Sequence, residues 1–130
     1  MNYRVVGKTG IKVSPLCFGT MSFGGNADEA TSKAMFNRCR ELGINFFDSA
    51  NVYNGGLAEE ILGKCMAGCR DELVITSKVC MPVGSDVNAR GLSRRHIMLS
   101  VEDSLRRLNT DRIEFYFVHR FDPLTPIEET

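Results

Sequence analysis

Short apolar runs alternate along the chain with longer stretches in which apolar residues recur every three or four positions. The short runs are typical of β-strands and the periodic stretches of amphipathic helices. The predicted strands are 3–6 and 11–13 around a glycine-flanked turn, then 16–18, 44–48, 73–78 and 113–119. The predicted helices are 29–42, 57–66 and 94–108.

Residues that favour helix ends support these boundaries. Asp28 and Ser93 stand where N-caps belong, and Gly43 supplies a stop after the first helix,. Glu59 and Glu60 fall in the first turn of the second helix, where they complement the helix dipole,. The third helix has an apolar stripe that we expect to face the core, formed by Ile97, Val101, Leu105 and Leu108.

The order of these elements predicts an α/β fold. A hairpin is followed by strand, helix, strand, helix, strand, helix and strand, which implies a parallel sheet with right-handed crossovers,. A doubly wound sheet and part of a (β/α)8 barrel both fit this order. The chain contains no G-x-G-x-x-G, and no glycine loop leads into a GK[ST] sequence, so the barrel is favoured over the dinucleotide-binding sheet and the P-loop fold.

Three of the predicted strands end in a polar side chain: Asp48, Lys78 and His119. Tyr53 follows five residues after Asp48. The carboxyl ends of parallel strands meet on one face of a sheet or barrel, and that face carries the active site in barrel enzymes. The pattern therefore predicts an active site that contains an acid, a base, an imidazole and a phenol.

Composition excludes several classes of function. The chain has 43% hydrophobic residues, 16 basic and 16 acidic residues and a formal net charge of zero. This balance is typical of a globular domain and gives no attraction to nucleic acid or to an anionic membrane. No apolar run is long enough for a membrane span, and the first residues lack the apolar core of a signal peptide,. We therefore expect a cytoplasmic protein.

The five cysteines predict neither a disulfide framework nor a metal site. Their number is odd and no CxxC pair occurs,. Cys65 and Cys69 are four residues apart but have no second ligand pair nearby, so we expect no metal,. All five are interpreted as small buried apolar residues. They are Cys17, Cys39, Cys65, Cys69 and Cys80.

Several motifs, in order along nearly the whole chain, resemble the aldo-keto reductases, particularly the branch that includes the β subunits of voltage-gated potassium channels. The motifs are Gly7 to Ser14 (GKTGIKVS), Phe18 to Gly24 (FGTMSFG), Leu42 to Ala50 (LGINFFDSA), Glu59 to Gly63 (EEILG), Ile75 to Lys78 (ITSK), Leu105 to Leu108 (LRRL) and His119 to Asp122 (HRFD). The resemblance implies an NAD(P)H-dependent oxidoreductase of aldehydes and ketones on a (β/α)8 barrel, with the hairpin closing the barrel bottom.

The family's catalytic tetrad falls on Asp48, Tyr53, Lys78 and His119. By resemblance Tyr53 donates a proton, Lys78 stabilises the phenolate, Asp48 orients Lys78, and His119 aligns the substrate carbonyl. The cofactor implied is NADPH, with NADH possible, and the substrate is a small carbonyl compound. The cofactor-binding residues implied are Gly19, Thr20, Met21 and Asp48. Loop position makes Phe23, Met81, His119 and Phe121 candidates for the substrate pocket.

The sequence departs from the family's pattern close to Tyr53. Asn51 stands where relatives usually carry an acid, and the segment Asn54 to Ala58 replaces a more usual Gly-x-Ser-Glu. Both changes lie outside the tetrad, so we expect them to affect the shape of the loop rather than the chemistry.

A complete barrel needs about 250 residues and eight strands, and this chain supplies four strands and three helices. We therefore expect residues 1–130 to be the N-terminal part of a reductase domain, ending after the fourth barrel strand. Exposed sheet edges then favour pairing with a C-terminal half or self-association. Two alternatives to an active reductase remain: a non-enzymatic, nucleotide-sensing subunit of the channel type, and an inactive half-barrel.

Overall fold

The computed structural model describes all residues, 1–130. It begins with an antiparallel hairpin of two short strands, β1 (Arg4–Val5) and β2 (Lys12–Val13). Gly7 and Gly10 have positive φ values of 53° and 77° in the turn between them, a conformation that suits glycine. The hairpin prediction is confirmed, with shorter strands than the apolar runs indicated.

Four parallel strands form the main sheet in chain order. They are β3 (Phe18–Gly19), β4 (Phe46–Asp48), β5 (Val74–Val79) and β6 (Phe115–Val118). The register places Gly19 opposite Asp48, and Asp48 opposite Thr76. Four parallel strands in this order, joined by three crossover helices, make up half of a (β/α)8 barrel after the hairpin, so the predicted fold class is confirmed,.

Three helices cover the outer face of the sheet: α1 (Glu29–Glu41), α2 (Leu57–Cys65) and α3 (Arg94–Leu108). The side chains of Asp28 and Ser93 cap α1 and α3 as predicted, accepting from the N–H of Thr31 and of His96. Gly43 has a φ of 82° just after α1, which suits the predicted stop. Two 3-10 turns, Tyr53–Gly56 and Arg70–Glu72, precede α2 and β5.

The main core lies between the outer sheet face and the helices. Alternate residues of the strands point into it, including Phe47 of β4 and Ile75 of β5, both fully buried. Phe36 of α1 packs on Phe47 with ring centroids 4.8 Å apart. The opposite face of the same strands carries Asp48 and Lys78, so the alternation of side chains separates the core from the candidate site.

The predicted core stripe of α3 is wrong except at Leu108. The buried side chains of this helix are His96, Ser100, Ser104 and Leu108, whereas Ile97, Val101 and Leu105 are only half-buried. Small residues bring α3 close to α2: a Cβ added at Gly63 would lie 2.7 Å from the carbonyl oxygens of Arg107 and Leu108. Because the two helices pack this closely, the face of α3 that carries Ser100 and Ser104 points inward. The apolar residues Ile97, Val101 and Leu105 lie at the side of the helix and are only partly covered.

Cys17 also departs from prediction, because it is exposed rather than buried. It immediately precedes β3, which is an edge strand with a neighbour on one side only. Cys39 and Cys80 are buried, as expected, and Cys65 and Cys69 are half-buried. No helix of the structure combines the length and the apolar composition that crossing a membrane requires.

The inner face and the far edge of the sheet remain partly uncovered. Phe117 and Val118 of the edge strand β6 are 47% and 51% exposed. On the inner face, Phe46 is half-buried, whereas Thr76 is fully buried. Thr76 loses its exposure because its hydroxyl is bonded to the Asp48 carboxylate. An exposed apolar edge strand of this kind can pair with further strands.

Candidate active site

The ammonium group of Lys78 lies at the centre of the predicted tetrad. Its Nζ donates to Asp48 Oδ2 at 2.6 Å, to the carbonyl oxygen of Ser49 at 2.7 Å, and contacts Tyr53 Oη at 3.1 Å. The side chains of Lys78 and Asp48 are only 14% and 26% exposed. A charge-assisted hydrogen bond in such a sheltered place is stronger than the same contact in water, so Lys78 is held as a cation facing the phenol.

Asp48 is fixed from two sides. Thr76 Oγ1 donates to Asp48 Oδ1 at 2.5 Å, while Lys78 occupies the other carboxylate oxygen. Thr76 and Lys78 are two residues apart on β5 and therefore point to the same face. The register pairs Asp48 with Thr76, which brings the Asp48 carboxylate between the side chains of Thr76 and Lys78. These three inward-facing side chains, one from β4 and two from β5, form one hydrogen-bonded unit.

Tyr53 reaches the site from the turn that follows β4. Its ring stands edge-on to the ring of His119, with centroids 5.8 Å apart and an interplanar angle of 84°. The Lys78 Nζ is 4.7 Å from the centroid of the Tyr53 ring. The structure thus brings together all four predicted catalytic residues, although they are spread over 72 positions from Asp48 to His119.

His119 continues the ladder of β6 beyond the strand's last residue. Its backbone N–H donates to the carbonyl oxygen of Val79 at 2.8 Å. Its Nδ1 is buried and has no hydrogen-bond partner. Burial, and next the positive charge of Lys78, lower the pKa of His119 below its usual value. The lowered pKa favours the neutral form of the imidazole.

Three of the predicted cofactor residues lie at the end of β3 and just after it, and Gly19 pairs with Asp48. A Cβ added at Gly19 would meet no atom within 4 Å, and Met21 is 67% exposed, so both are open to a ligand. Thr20 is fully buried, and its hydroxyl donates to the carbonyl oxygen of Asp48 at 3.1 Å. The side chain of Thr20 consequently joins β3 to β4 and is not available for the predicted cofactor contact.

Two of the predicted pocket residues share a cavity, and a third does not reach it. Met81 and Phe121 line a cavity of about 740 Å³ between the segments 80–93 and 120–125. His119 lies two residues before Phe121 in the chain, and its ring faces Tyr53. The prediction for Phe23 is wrong, because this ring has no exposed surface and belongs to the main core. It turns inward where the β3–α1 loop folds back on itself.

Comparison with known proteins identifies the family of this chain. The profile described as "Aldo/keto reductase family" matches residues 15–130. The chain belongs to the aldo/keto reductase family.

Relatives within the aldo/keto reductases include both enzymes and channel subunits. The chain is 40% identical over 134 residues to a "Probable voltage-gated potassium channel subunit beta" of Oryza sativa subsp. japonica, covering 100% of this chain and 40% of that protein. It is 43% identical over 141 residues to the "Uncharacterized oxidoreductase YrpG" of Bacillus subtilis (strain 168), covering 99% and 43%.

A solved structure supports the same fold. The chain resembles the aldo-keto reductase AKR11C1 from Bacillus halodurans, in its holo form, with a TM-score of 0.85 and 36% identity. The match covers 99% of this chain and 43% of that one. The chain therefore spans less than half of the length of the aldo/keto reductases that it matches.

Two groups of this aldo/keto reductase site were missed by sequence reasoning. Thr76 bonds the Asp48 carboxylate and the Ser49 carbonyl oxygen accepts from Lys78. Thr76 could have been found, since it lies two residues before Lys78 on the same strand face. The Ser49 carbonyl leaves no such signal, because a backbone group carries no residue-specific pattern.

Proposed function

We propose that this chain carries the proton-donor half of an NAD(P)H-dependent reductase of aldehydes and ketones. The observation that carries the proposal is the position of the Lys78 ammonium, bonded to the Asp48 carboxylate at 2.6 Å and to the Tyr53 hydroxyl at 3.1 Å. A purely structural ion pair has no need of a phenol as a third member. General acid catalysis needs a donor with a stabilised conjugate base.

Tyr53 is the proton donor in this mechanism. A reduced nicotinamide, when bound, supplies the hydride that adds to the carbonyl carbon. The oxygen of the substrate gains the pair of electrons from the breaking C=O π bond and takes the proton from Tyr53 Oη. The phenolate that remains is paired with the Lys78 ammonium, while Asp48 keeps that ammonium charged and oriented. Proton transfer of this kind typically contributes about 10²- to 10⁴-fold to the rate.

His119 polarises the carbonyl before the proton moves. Its ring stands edge-on to that of Tyr53, and burial lowers its pKa, which favours the neutral imidazole. A neutral imidazole can donate one hydrogen bond toward the carbonyl oxygen, where negative charge develops. A donor that the protein already holds in place loses little free energy by reorganising during the reaction.

The open surface next to Asp48 fits the reactive end of a nicotinamide cofactor. Gly19 lets a flat ring approach the backbone, Met21 offers an exposed apolar side chain, and Asp48 lies opposite Gly19 on the neighbouring strand. We propose NADPH as the cofactor, with NADH as the alternative. Met81 and Phe121 offer the cavity wall for a small carbonyl substrate.

The uncovered edge of β6 supports the proposal that further strands pair with the sheet. Phe117 and Val118 are about half exposed there, and the chain spans 40% to 43% of its matched relatives. We propose that the remaining strands of a barrel cover this edge, either from a C-terminal half or, in its absence, from a second copy. Active-site residues must be held to within about 0.5 Å, so we expect turnover only in the covered state.

A nucleotide-sensing role is the second candidate, since two plant relatives are named as probable channel β subunits. The hydrogen-bonded set of Asp48, Lys78 and Tyr53 favours the reductase, because sensing a nucleotide does not need a proton donor. The deciding experiment measures oxidation of NADPH and of NADH, with a panel of aldehydes and ketones, by a full-length barrel that contains this chain. We expect many turnovers per protein molecule. Tight cofactor binding with less than one turnover would refute the reductase and favour the sensor.

A further inference from the structure

Asn54, the residue after Tyr53, has an unusual backbone and an unusual set of contacts. Its φ and ψ are 49° and 41°, and Gly55 and Gly56 follow with φ values of 66° and 96°. Asparagine tolerates this left-handed region better than most residues, but glycine tolerates it best. Backbone geometry alone therefore does not explain an asparagine here.

The side chain of Asn54 bridges two loops that are distant in sequence. Its Nδ2 donates to the carbonyl oxygen of Met21 at 2.8 Å and to that of Phe23 at 2.7 Å. Both acceptors belong to the β3–α1 loop, residues 20–28, which also carries the exposed Met21. One amide group thus uses both of its N–H donors to hold this loop against the turn that carries Tyr53.

Two glycines of the β3–α1 loop lie close against the side chains of Asn54 and Leu57. A Cβ added at Gly25 would lie 2.7 Å from Asn54 Oδ1, and a Cβ added at Gly24 would lie 2.5 Å from Leu57 Cγ. Side chains at either glycine would push the loops apart. Both loops therefore contribute to the contact. The β3–α1 loop supplies glycines, which have no side chain, and the other loop supplies the two N–H donors of Asn54.

We propose that Asn54 is a positioning residue, whose bridge to Met21 and Phe23 sets the place of the Tyr53 phenol relative to the surface proposed for the nicotinamide. The β3–α1 loop is itself tied to Asp48, since the Thr20 N–H donates to the Asp48 carbonyl oxygen at 2.9 Å. The two hydrogen bonds of Asn54 add a second link, between this loop and the turn that carries Tyr53. The catalytic consequence rests on the proposed reductase function, whereas the bridge and its effect on Tyr53 do not.

Hydrogen exchange followed by mass spectrometry tests the bridge in the full chain. Asn54→Gly keeps the left-handed backbone and removes both donors, and Asn54→Asp keeps the size but cannot donate. In both variants we expect amides of residues 22–27 to exchange on the order of tenfold faster, with no change in α3. The matched control is Asn109→Gly, at the exposed end of α3, where the asparagine has the same left-handed backbone (φ 50°) and its side chain makes no hydrogen bond. Wild-type exchange at 22–27 in Asn54→Gly would overturn the proposal.

A spectroscopic measurement tests the position of Tyr53 without any catalysis. The edge-on rings of Tyr53 and His119 should give a nuclear Overhauser effect between their ring protons in the wild-type chain. We expect Asn54→Gly to reduce it at least twofold and Asn109→Gly to leave it unchanged. An undiminished signal in Asn54→Gly would show that Tyr53 is held by other contacts, and would overturn the positioning role.

The same variants in a full-length barrel separate this inference from the proposed function. We expect Asn54→Gly to lower kcat about tenfold while KM for the carbonyl changes less than twofold, because the substrate contacts remain. A wild-type barrel without reductase activity would refute the proposed function but leave the exchange and ring-contact results standing. An active wild type with an unaffected Asn54→Gly would refute the positioning role alone.

Discussion

Removing the buried charge of Glu59 tests how the sheet is tied to the helices behind the candidate site. Glu59 is fully buried on α2, accepts from Ser77 Oγ at 2.5 Å, and pairs with Arg107 Nε of α3 at 2.7 Å. Ser77 is next to Lys78, so the carboxylate joins the strand of the tetrad to both helices. In Glu59→Ala the hydroxyl and the guanidinium both lose this partner.

The expected loss of stability follows from the exposure of the partner. Breaking a buried ion pair from one side costs about 3–5 kcal/mol. The Arg107 side chain is 24% exposed, so water can solvate part of the unpaired guanidinium. We therefore expect a loss of about 3 kcal/mol, the low end of that range. This is a large share of the total free energy of unfolding of a domain, about 5–15 kcal/mol.

Urea denaturation followed by far-ultraviolet circular dichroism measures this loss at a fixed protein concentration. With a typical m value of about 1–3 kcal/mol/M, the midpoint should fall by about 1–3 M. The matched control is Glu60→Ala, one position along the same helix turn but exposed, for which we expect a loss below about 1 kcal/mol. If Glu59→Ala lowered the midpoint no more than Glu60→Ala, the buried pair would not be holding the helices to the sheet.

Four further predictions concern the chemistry and the uncovered edge. In a full-length barrel, Lys78→Met and Asp48→Asn should each lower kcat at least about 100-fold, whereas Lys64→Met, at an exposed ion pair with Glu29, should not; a neutral Lys78→Met would refute the role of the ammonium. His119→Ala should lower kcat/KM more for weakly electrophilic ketones than for quinones or dicarbonyls, and an equal loss across the series would assign His119 to structure. Because its pKa is lowered from 6.5, wild-type activity should not fall through protonation of His119 until the pH drops below that value. The 130-residue chain by itself should be dimeric or larger in size-exclusion light scattering and should not reduce carbonyls, so a monomer that turned over NADPH would contradict both statements.

The tetrad was predictable because each strand end carries its own signal. Asp48, Lys78 and His119 each close an apolar run, and parallel strands bring such ends together whatever the intervening sequence. The fold class followed from the same alternation. Sequence could therefore indicate which side chains meet, although it could not give their distances.

The misplaced residues share a different physical cause. Phe23 follows a strand on a glycine-rich loop, and only the folding of that loop against the Tyr53 turn decides that its ring enters the core. The stripe of α3 was misassigned because apolar periodicity does not reveal that Gly63 allows the close helix contact, with Ser100 and Ser104 facing inward. Such features depend on contacts between distant segments, which a single sequence does not show.

Single-turnover reduction by a full-length barrel that carries Tyr53→Phe tests the central claim most directly. Tyr3→Phe is the matched control, since the Tyr3 hydroxyl donates to the Gly43 carbonyl oxygen at the hairpin, away from the tetrad. With NADPH bound in advance, we expect Tyr53→Phe to keep the wild-type cofactor affinity within about twofold and to lose hydride transfer by a factor on the order of 100 or more. A Tyr53→Phe protein that reduced the bound carbonyl at close to the wild-type rate would contradict the assignment of Tyr53 as the proton donor.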